Sequence, residues 1–522
     1  MTEAVPTSAD VVVVGAGHNG LVAATLLARA GLRVVVCERS GVLGGAARTE
    51  APFERVPGLR QSTGAYLLGL MPPELIQLLG VNIPVLRRDP HYFLPTTGDQ
   101  YLLLGADAAV NRQAIATTFG EENAKADDAL AAELAALRED IAPSWLAEPL
   151  SVEDTAEKYV RPELRETFVD LCRGSVAAYL DRFGFTSDLL IAMYVVTDGL
   201  SGLHAGPDTP GSGHNFLVHN MCRLPDAGGT WMIVRGGMGT VTAQIADAAR
   251  RAGAQLMTSS PVASVRTDAG AVAGVTLADG HEIQALVVVG GCDPFRLADL
   301  VGDVVPDQIS RRLDDVRLPG TTLKVNLALR KLPTFTCLPE GATSPFGATI
   351  HLLPEEPDVL DAVRDMWTDV EAGRLPDFPT MEWYVHTTVD PSLQDDRGHH
   401  SSALFVQSVP HTPTGTTWTH ALSSYVDKLL AICDRFAPDT NSCVADVLAL
   451  PPPEIERRFG ITGGHIHHVD NAFAFADRVP YSWLPGLYAA SAGCHPAGSV
   501  IGAAGHNAAQ RVLADLGLPS AR

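Results

Sequence analysis

Short runs of β-branched apolar residues alternate with a helical pattern at the start of the chain. Val11–Val14 is the first run, and apolar residues at helical spacing follow over 21–30. A second run, Val34–Cys37, ends at Glu38. Continuous apolar runs are typical of strands that are buried on both faces, as in a parallel sheet. The pattern therefore predicts a unit of strand, helix and parallel strand.

The turn between the first strand and the helix has the sequence GAGHNG, a GxGxxG fingerprint over residues 15–20. Gly15 permits the tight turn, Gly17 lets the backbone approach a pyrophosphate, and Gly20 lets helix and strand pack closely. The helix N-terminus offers free N–H groups and a positive dipole end to phosphates. The carboxylate of Glu38 accepts hydrogen bonds from ribose hydroxyls. Together these features predict a Rossmann-like dinucleotide site.

A second glycine-rich segment, residues 44–49, distinguishes between FAD and a nicotinamide cofactor. It reads Gly-Gly-Ala-Ala-Arg-Thr and follows Glu38 within one short loop. The glycine pair lets backbone approach a diphosphate, and Arg48 adds charge and hydrogen bonds. A nicotinamide-binding Rossmann domain does not need this segment, so the pattern favours FAD.

Two later segments extend the predicted flavin site. Residues 235–239 read Arg-Gly-Gly-Met-Gly and precede a helical pattern, then three strands, the last two (272–277 and 285–289) joined by a turn at 278–280. Near the end, a short strand enters the loop 492–502, and an alanine-rich helix follows. Its positive end would stabilise an anionic reduced flavin.

These motifs resemble the phytoene desaturase-related FAD oxidoreductases, and most closely the subgroup called pyridine nucleotide-disulfide oxidoreductase domain-containing protein 2. The resemblance spans nearly the whole chain and includes Thr322–Asn326, Gly463 with His468, and the 494–502 loop. It implies an α/β fold with a Rossmann-like FAD-binding domain of the glutathione-reductase or amine-oxidase type. The sequence departs from the family at 290–293, and it has no CxxC pair, which argues against disulfide-reductase chemistry.

The resemblance also implies contacts to FAD from the 235–238 stretch and from the segment around Val262. We expect FAD to be bound without a covalent link, although Cys292, Cys494 and His495 are nearby nucleophiles. The residues expected to contact it are Gly15, Gly17, His18, Asn19, Gly20, Glu38, Arg39, Gly44, Gly45, Ala46, Arg48, Arg235, Gly236, Gly237, Met238, Val262, Gly493, His495, Val500 and Ile501.

We expect two discontinuous domains. The FAD-binding domain comprises 1–75, 225–300 and 455–522, and a mixed α+β substrate domain comprises 76–224 and 301–454. The first insertion is mainly helical, with one helix predicted over 163–181, and the second mixes strands with helices.

Four side chains are candidates for catalysis: Lys324, His214, His219 and His468. Lys324 interrupts an apolar strand, where a charge costs free energy unless it is satisfied. It either approaches the flavin through a water, as in amine oxidase-like enzymes, or reaches solvent at a strand edge. The histidines titrate near neutral pH and could act as acid or base. We expect no metal site, because strand alternation would place only His465 and His467 on one face.

Composition narrows the choice of partners. The 522 residues carry 38 basic and 60 acidic side chains, a net charge of −22, which repels a phosphate backbone and excludes nucleic acid as a partner. The first ten residues hold two acids and no Lys or Arg, so we expect no signal peptide and a cytoplasmic protein. Peripheral membrane contact and the oligomeric state stay open.

The leading hypothesis is an FAD-dependent desaturase, dehydrogenase or oxidase. It would abstract a hydride from a C–C or C–N unit of a largely apolar small molecule and pass electrons to oxygen, a quinone or another acceptor. One alternative is a flavin-dependent isomerase of a polyene with no net oxidation. The other is a flavin-bearing binding or scaffold protein without turnover.

Overall fold

The computed structural model of the chain describes residues 5–354 and 358–521. Its strands in chain order are β1 (Val11–Val14), β2 (Val34–Cys37), β3 (Thr49–Glu50), β4 (Gln61–Ser62), β5 (Val85–Leu86), β6 (Tyr92–Pro95), β7 (Tyr101–Leu104), β8 (Ile233–Val234), β9 (Gln255–Met257), β10 (Val262–Asp268), β11 (Ala271–Leu277), β12 (Glu282–Gln284), β13 (Val287–Gly290), β14 (Leu323–Leu329), β15 (Thr349–Leu352), β16 (Met381–Val385), β17 (His400–Val406), β18 (Val444–Leu450), β19 (Ser482–Leu484) and β20 (Leu487–Ala489).

The α-helices in chain order are α1 (His18–Arg29), α2 (Pro73–Leu79), α3 (Ala108–Phe119), α4 (Glu121–Ile141), α5 (Val152–Tyr159), α6 (Arg165–Arg173), α7 (Val176–Asp181), α8 (Asp188–Tyr194), α9 (Ser212–His219), α10 (Gly239–Arg251), α11 (Pro294–Val301), α12 (Asp307–Asp315), α13 (Val359–Glu371), α14 (Trp418–Phe436), α15 (Thr440–Cys443), α16 (Pro452–Phe459) and α17 (Ala503–Asp515).

The apolar runs at the start of the chain form the centre of a six-stranded sheet. Its order is β19-β20-β13-β1-β2-β9, and all neighbours are parallel except β19 and β20. Every residue of β1, β2 and β13 is buried. The predicted strands Val11–Val14 and Val34–Cys37 are confirmed, and so is the α/β fold class.

In the sheet, β1 lies between β2 and β13, so the strands that follow β1 in the chain are placed on both sides of it. Such a reversal of strand order opens a crevice at the carboxyl ends of the strands. Gly20 makes the packing beside it possible, because a Cβ there would lie 2.2 Å from the Gly15 oxygen. A Cβ on Gly291 would lie 2.8 Å from the same oxygen. The loops that follow β1 and β13 therefore meet backbone to backbone.

One predicted connection is wrong. The turn at 278–280 joins β11 to β12 within the antiparallel sheet β10-β11-β12. The predicted 285–289 strand belongs instead to β13 of the parallel sheet. Its continuous run of valines, Val287–Val289, matches a strand covered on both faces rather than a hairpin strand with one wet face.

A second, seven-stranded sheet has the order β18-β14-β17-β16-β15-β6-β7. Successive side chains of a strand point to opposite faces of the sheet, so the two faces carry different residues. Leu323, Val325 and Leu327 of β14 pack in a core that includes residues of α14. Lys324 lies on the opposite face, where the register aligns it with Phe405 of β17. Because β14 is hydrogen-bonded on both sides, the alternative of a strand-edge Lys324 reaching solvent is wrong.

Helices α3–α9 form a layer with its own apolar core. The single helix predicted over 163–181 breaks at Gly174 into α6 and α7, and the Ser175 side chain caps α7 by accepting from the Ala178 N–H. Throughout the described ranges, the helices are too short or too polar to pass through a lipid bilayer.

The glycine packing can be tested with a matched pair of variants. Gly20→Ala should lower the free energy of unfolding of the apoprotein by about 3 kcal/mol, because its methyl overlaps the Gly15 carbonyl. Gly17→Ala should change it by less than about 0.5 kcal/mol, since Gly17 has φ −69° and no atom within 4 Å of an added Cβ. Urea denaturation measures both values, and equal losses would contradict this packing.

Candidate active site

A cavity of about 510 Å³ joins the two sheets. At one end it is lined by Gly15, Glu38 and Val262, where β1 and β2 end and β10 begins. At the other end it reaches Glu382, on the polar face of the seven-stranded sheet, and Arg88, which is bonded to Thr349 of that sheet. The cavity therefore runs from the glycine fingerprint to Lys324 and beyond.

The first end offers hydrogen-bond donors and one fixed acceptor. Within the described residues no side chain caps α1, which leaves the N–H groups of its first turn to a ligand. The Glu38 carboxylate accepts from the Ala16 N–H and the Ser40 N–H, each at 2.8 Å. These bonds orient Glu38 and leave lone pairs free for ribose hydroxyls.

The second glycine segment lies against the first. The Gly44 N–H donates to the Ala16 oxygen at 2.9 Å, and a Cβ on Gly45 would lie 3.3 Å from the Gly17 Cα. Gly44 has φ +113° and Gly45 has φ +58°, so L-residues with side chains would be strained at both positions. Bare backbone from both segments thus borders the cavity.

An extended dinucleotide such as FAD fits this lining, because free N–H groups, open glycine backbone and an oriented acid follow one another along it. The side chains and backbone of most predicted cofactor residues line the cavity: Gly15, Gly17, His18, Asn19, Glu38, Arg39, Gly44, Gly45, Ala46, Val262 and Val500.

The predicted stretch Arg235–Met238 does not line the cavity. The Gly236 N–H donates to Asp390 Oδ2 at 2.6 Å, and the Met238 N–H donates to Ser62 Oγ at 3.0 Å. A Cβ on Gly237 would lie 2.3 Å from Thr49 Oγ1. This stretch packs behind β3 and β4, so its glycines serve close packing there.

The C-terminal loop is divided between the cavity and the protein interior. Val500 lines the cavity, whereas Ile501 packs in the core of the helical layer and Gly493 packs against Pro294. The His495 ring is turned away, with Nε2 2.9 Å from the Ser144 oxygen. The expected contacts of Gly493, His495 and Ile501 with the cavity are therefore absent.

Two further predicted residues, Gly20 and Arg48, also lie outside the lining. Gly20 is enclosed between α1 and β1, as its role in packing requires. The Arg48 guanidinium lies 5.0 Å from the centre of the Phe459 ring and 3.4 Å from Glu50. Its charge is thus placed beside the cavity rather than in its wall.

Lys324 lines the cavity and is 4% exposed. Its Nζ donates to the Ser62 oxygen at 2.7 Å and to the Gly64 oxygen, and it lies 4.3 Å from the centre of the Tyr66 ring. Burial lowers the pKa of Lys324 well below its ordinary value. In the neutral amine, both N–H groups are donated to carbonyls and the lone pair stays available to accept a proton.

Of the three candidate histidines, His219 and His468 line the cavity and His214 does not. The His214 ring lies in the helical layer, with Nδ1 2.6 Å from the Asn471 oxygen. Burial lowers the pKa of His468 to about 3, and it lowers the pKa of His18 to about 4. Both rings are neutral at physiological pH.

The far end of the cavity holds ionisable groups that the sequence reasoning missed: Arg88, Asp198 and Glu382. Glu382 is 3% exposed; it accepts from the Tyr384 hydroxyl and from Gln407 Nε2 at 2.9 Å. Burial raises the pKa of Glu382 to about 8, so the neutral acid predominates at pH 7. A lone acid in the apolar strand β16 was a signal as clear as Lys324, whereas Arg88 had no comparable signal.

Residues 465–468 form a turn rather than the strand that the sequence suggested. His465 Nε2 lies 3.0 Å from Asp470 Oδ2, and His467 Nε2 lies 2.9 Å from the Ser201 oxygen. Among the residues with described positions, no three His, Cys, Asp or Glu side chains are arranged to hold a metal ion.

The glycine loops at the sheet edge and the cavity that begins at them are typical of dinucleotide-binding oxidoreductases. The chain belongs to the family of flavin containing amine oxidoreductases, which matches residues 20–337. Pyridine nucleotide-disulfide oxidoreductase domain-containing protein 2 of Mus musculus is 32% identical, over 97% of this chain and 94% of that protein. Hydroxyneurosporene desaturase of Cereibacter sphaeroides is 24% identical, over 97% and 98%. A double mutant of putrescine oxidase shares the fold, with a TM-score of 0.57, 16% identity and coverage of 98% and 99%.

The buried acid predicts a pH-dependent stability. A folded pKa of about 8 for Glu382, against 4.5 ordinarily, means that the folded protein holds an extra proton between these values. The free energy of unfolding then falls as pH rises through this window. Glu382→Gln removes that proton uptake, and the Gln407 amide can turn over to accept from the new NH2 group. The variant should be close to the wild type near pH 5, and its advantage in stability should grow by about 3.5 kcal/mol between pH 5 and pH 8.

Urea denaturation of both proteins from pH 5 to 8 measures this difference. A constant offset between the two proteins at every pH would contradict the assignment of a neutral, buried Glu382.

Proposed function

We propose that the protein is an FAD-dependent enzyme that takes a hydride from a C–C or C–N unit of a small molecule with an apolar body. The single observation that carries the proposal is the continuity of the cavity from the glycine segments past Lys324. Leu67, Trp231 and Phe405 provide apolar wall beyond Lys324. The chain is similar in sequence to a desaturase and shares its fold with an amine oxidase. The proposal therefore includes both C–C and C–N units as sites of oxidation.

FAD, when bound, would accept the hydride and release the two electrons to oxygen, a quinone or another acceptor. The N–H groups at the start of α1 and the backbone at 15–17 and 44–45 would hold its diphosphate, and Glu38 would hold a ribose. The link is proposed to be non-covalent. Cys292 lines the cavity, but burial raises the pKa of its thiol well above the ordinary value, which disfavours the reactive thiolate.

Lys324 is proposed to receive the proton that the substrate loses together with the hydride, directly or through one water. Its two bonds to the Ser62 and Gly64 oxygens fix Nζ, and the lowered pKa favours the neutral amine, whose lone pair accepts a proton. His219 and His468 line the same cavity and would complete its polar wall.

The proposed FAD-binding domain remains 1–75, 225–300 and 455–522, and the proposed substrate domain remains 76–224 and 301–454. The distribution of strands supports this division. The parallel sheet takes its strands from 11–37, 255–290 and 482–489, and the seven-stranded sheet takes its strands from 92–104 and 323–450.

The visible spectrum of the purified protein tests the cofactor. Flavin bands should be present, or should return on reconstitution with FAD, and acid precipitation should release them into the supernatant.

Gly17→Ala should bind FAD more weakly, because its methyl would project into the cavity without disturbing the fold. Failure to bind FAD after reconstitution would overturn the proposal. Bound flavin that no donor bleaches in an anaerobic screen would favour the binding or scaffold alternative, and a changed polyene without net oxidation would favour the isomerase.

Replacing the proposed proton acceptor tests the mechanism. Lys324→Met should keep bound FAD but slow its anaerobic reduction by an active donor at least about 100-fold, because no group then takes the proton. The wild-type rate should rise with pH to a plateau, and this rise should be lost in the variant. Lys331→Met, two residues after β14 and exposed, is the matched control and should leave the rate unchanged. Unchanged reduction of Lys324→Met would refute the role.

A further inference from the structure

Arg88 is a buried cation whose charge the protein does not neutralise. It is 2% exposed and lines the far end of the cavity. Its Nε donates to the Trp231 oxygen at 2.8 Å, and its Nη1 donates to Thr349 Oγ1 at 2.7 Å. Both acceptors are neutral. Among the described residues, no carboxylate lies within 4.0 Å of the guanidinium and Nη2 has no hydrogen-bond partner.

Buried guanidinium groups are costly unless an anion accompanies them. The acids near Arg88 do not fill that role. Both carboxyl oxygens of Glu382 are engaged by Tyr384 and Gln407, and its pKa of about 8 keeps it neutral at pH 7. Asp198 lies 3.7 Å from the His219 ring instead. The unpaired edge of Arg88 is thus left for an anion that enters the cavity.

The sheet places β17 and β16 between Lys324 and Thr349, the residue to which Arg88 is bonded. Arg88 is bonded to Thr349 on β15, and Lys324 is on β14, three strands away in the order β14-β17-β16-β15. Neighbouring strands lie about 4.8 Å apart, so β14 and β15 are separated by about 14 Å. Between them, Phe405 lines the cavity on β17, and Tyr384 and the neutral Glu382 line it on β16. Leu67 lines it nearby. A ligand that reaches both ends needs an extended, largely apolar middle.

We propose that Arg88 binds a carboxylate of the substrate, and that this carboxylate lies at the far end of an apolar chain from the bond that is oxidised. The planar fork of a guanidinium matches the two oxygens of a carboxylate. The proposal rests on the proposed function for the location of the oxidised bond, and it names the substrate class as an apolar acid. The site therefore recognises an amphipathic molecule rather than a hydrocarbon.

Isothermal titration calorimetry of the FAD-loaded protein tests the proposal with three probes of equal length: octanoate, octan-1-ol and octylammonium. Octanoate should bind at least about tenfold more tightly than either of the others. In Arg88→Met this preference should disappear, while the affinity for octan-1-ol changes by less than about twofold. Arg60→Met, at an exposed arginine outside the cavity, is the control and should retain the preference.

The flavin spectrum and the melting temperature show whether Arg88→Met is folded. If it is not, the comparison of the three probes on the wild type still decides, and so does Arg88→Lys, which should weaken octanoate binding. Equal binding of octan-1-ol or octylammonium, or a preference retained in Arg88→Met, would overturn the proposal. Calorimetry needs no turnover, so a protein that binds octanoate through Arg88 but never oxidises a donor would contradict the proposed function alone.

Discussion

Direct contact between bare backbone segments at the carboxyl end of the parallel sheet is the constraint on which the rest of the structure depends. The loops after β1, β2 and β13 meet there, and side chains at Gly20, Gly44 or Gly291 would overlap neighbouring atoms. Because these loops are bare, the adjoining groove is bordered by N–H groups and by an uncapped helix end. The same contact explains why segments that are distant in the chain share one site.

The second sheet places three ionisable groups along one buried face or beside it, and each is accommodated in a different way. Lys324 donates to two backbone carbonyls, Glu382 is kept neutral by burial, and Arg88 keeps part of its fork unpaired. Burying such groups costs free energy that an apolar lining would not. A wholly apolar ligand would be complementary to Leu67 and Phe405, but not to the end of the cavity that Arg88 and Glu382 line.

The local sequence pattern was sufficient to predict helices and strands, but it was insufficient to predict which side chains face the cavity. Val11–Val14 and the tight turn that leads into α1 are determined by neighbours in sequence, so these local elements were predicted correctly. The 235–238 stretch has the same glycine-rich character, yet its glycines fit behind β3 and β4. His214 and His219 are five residues apart on α9, which turns their side chains about 140° from each other, so only His219 reaches the cavity. Arg88 is defined by partners at positions 231 and 349, which no local pattern reveals.

Side chains alternate between the two faces of β14, β16 and β17, so each strand contributes both to the apolar core and to the cavity wall. Leu323, Val325 and Trp383 belong to a core that holds the sheet against its helices, while Lys324 and Glu382 face the opposite side. Exchanges at every second position can therefore reshape the inner wall without opening holes among the apolar neighbours. A scaffold of this kind can therefore change the ligands it accepts while its core packing and its fold are retained.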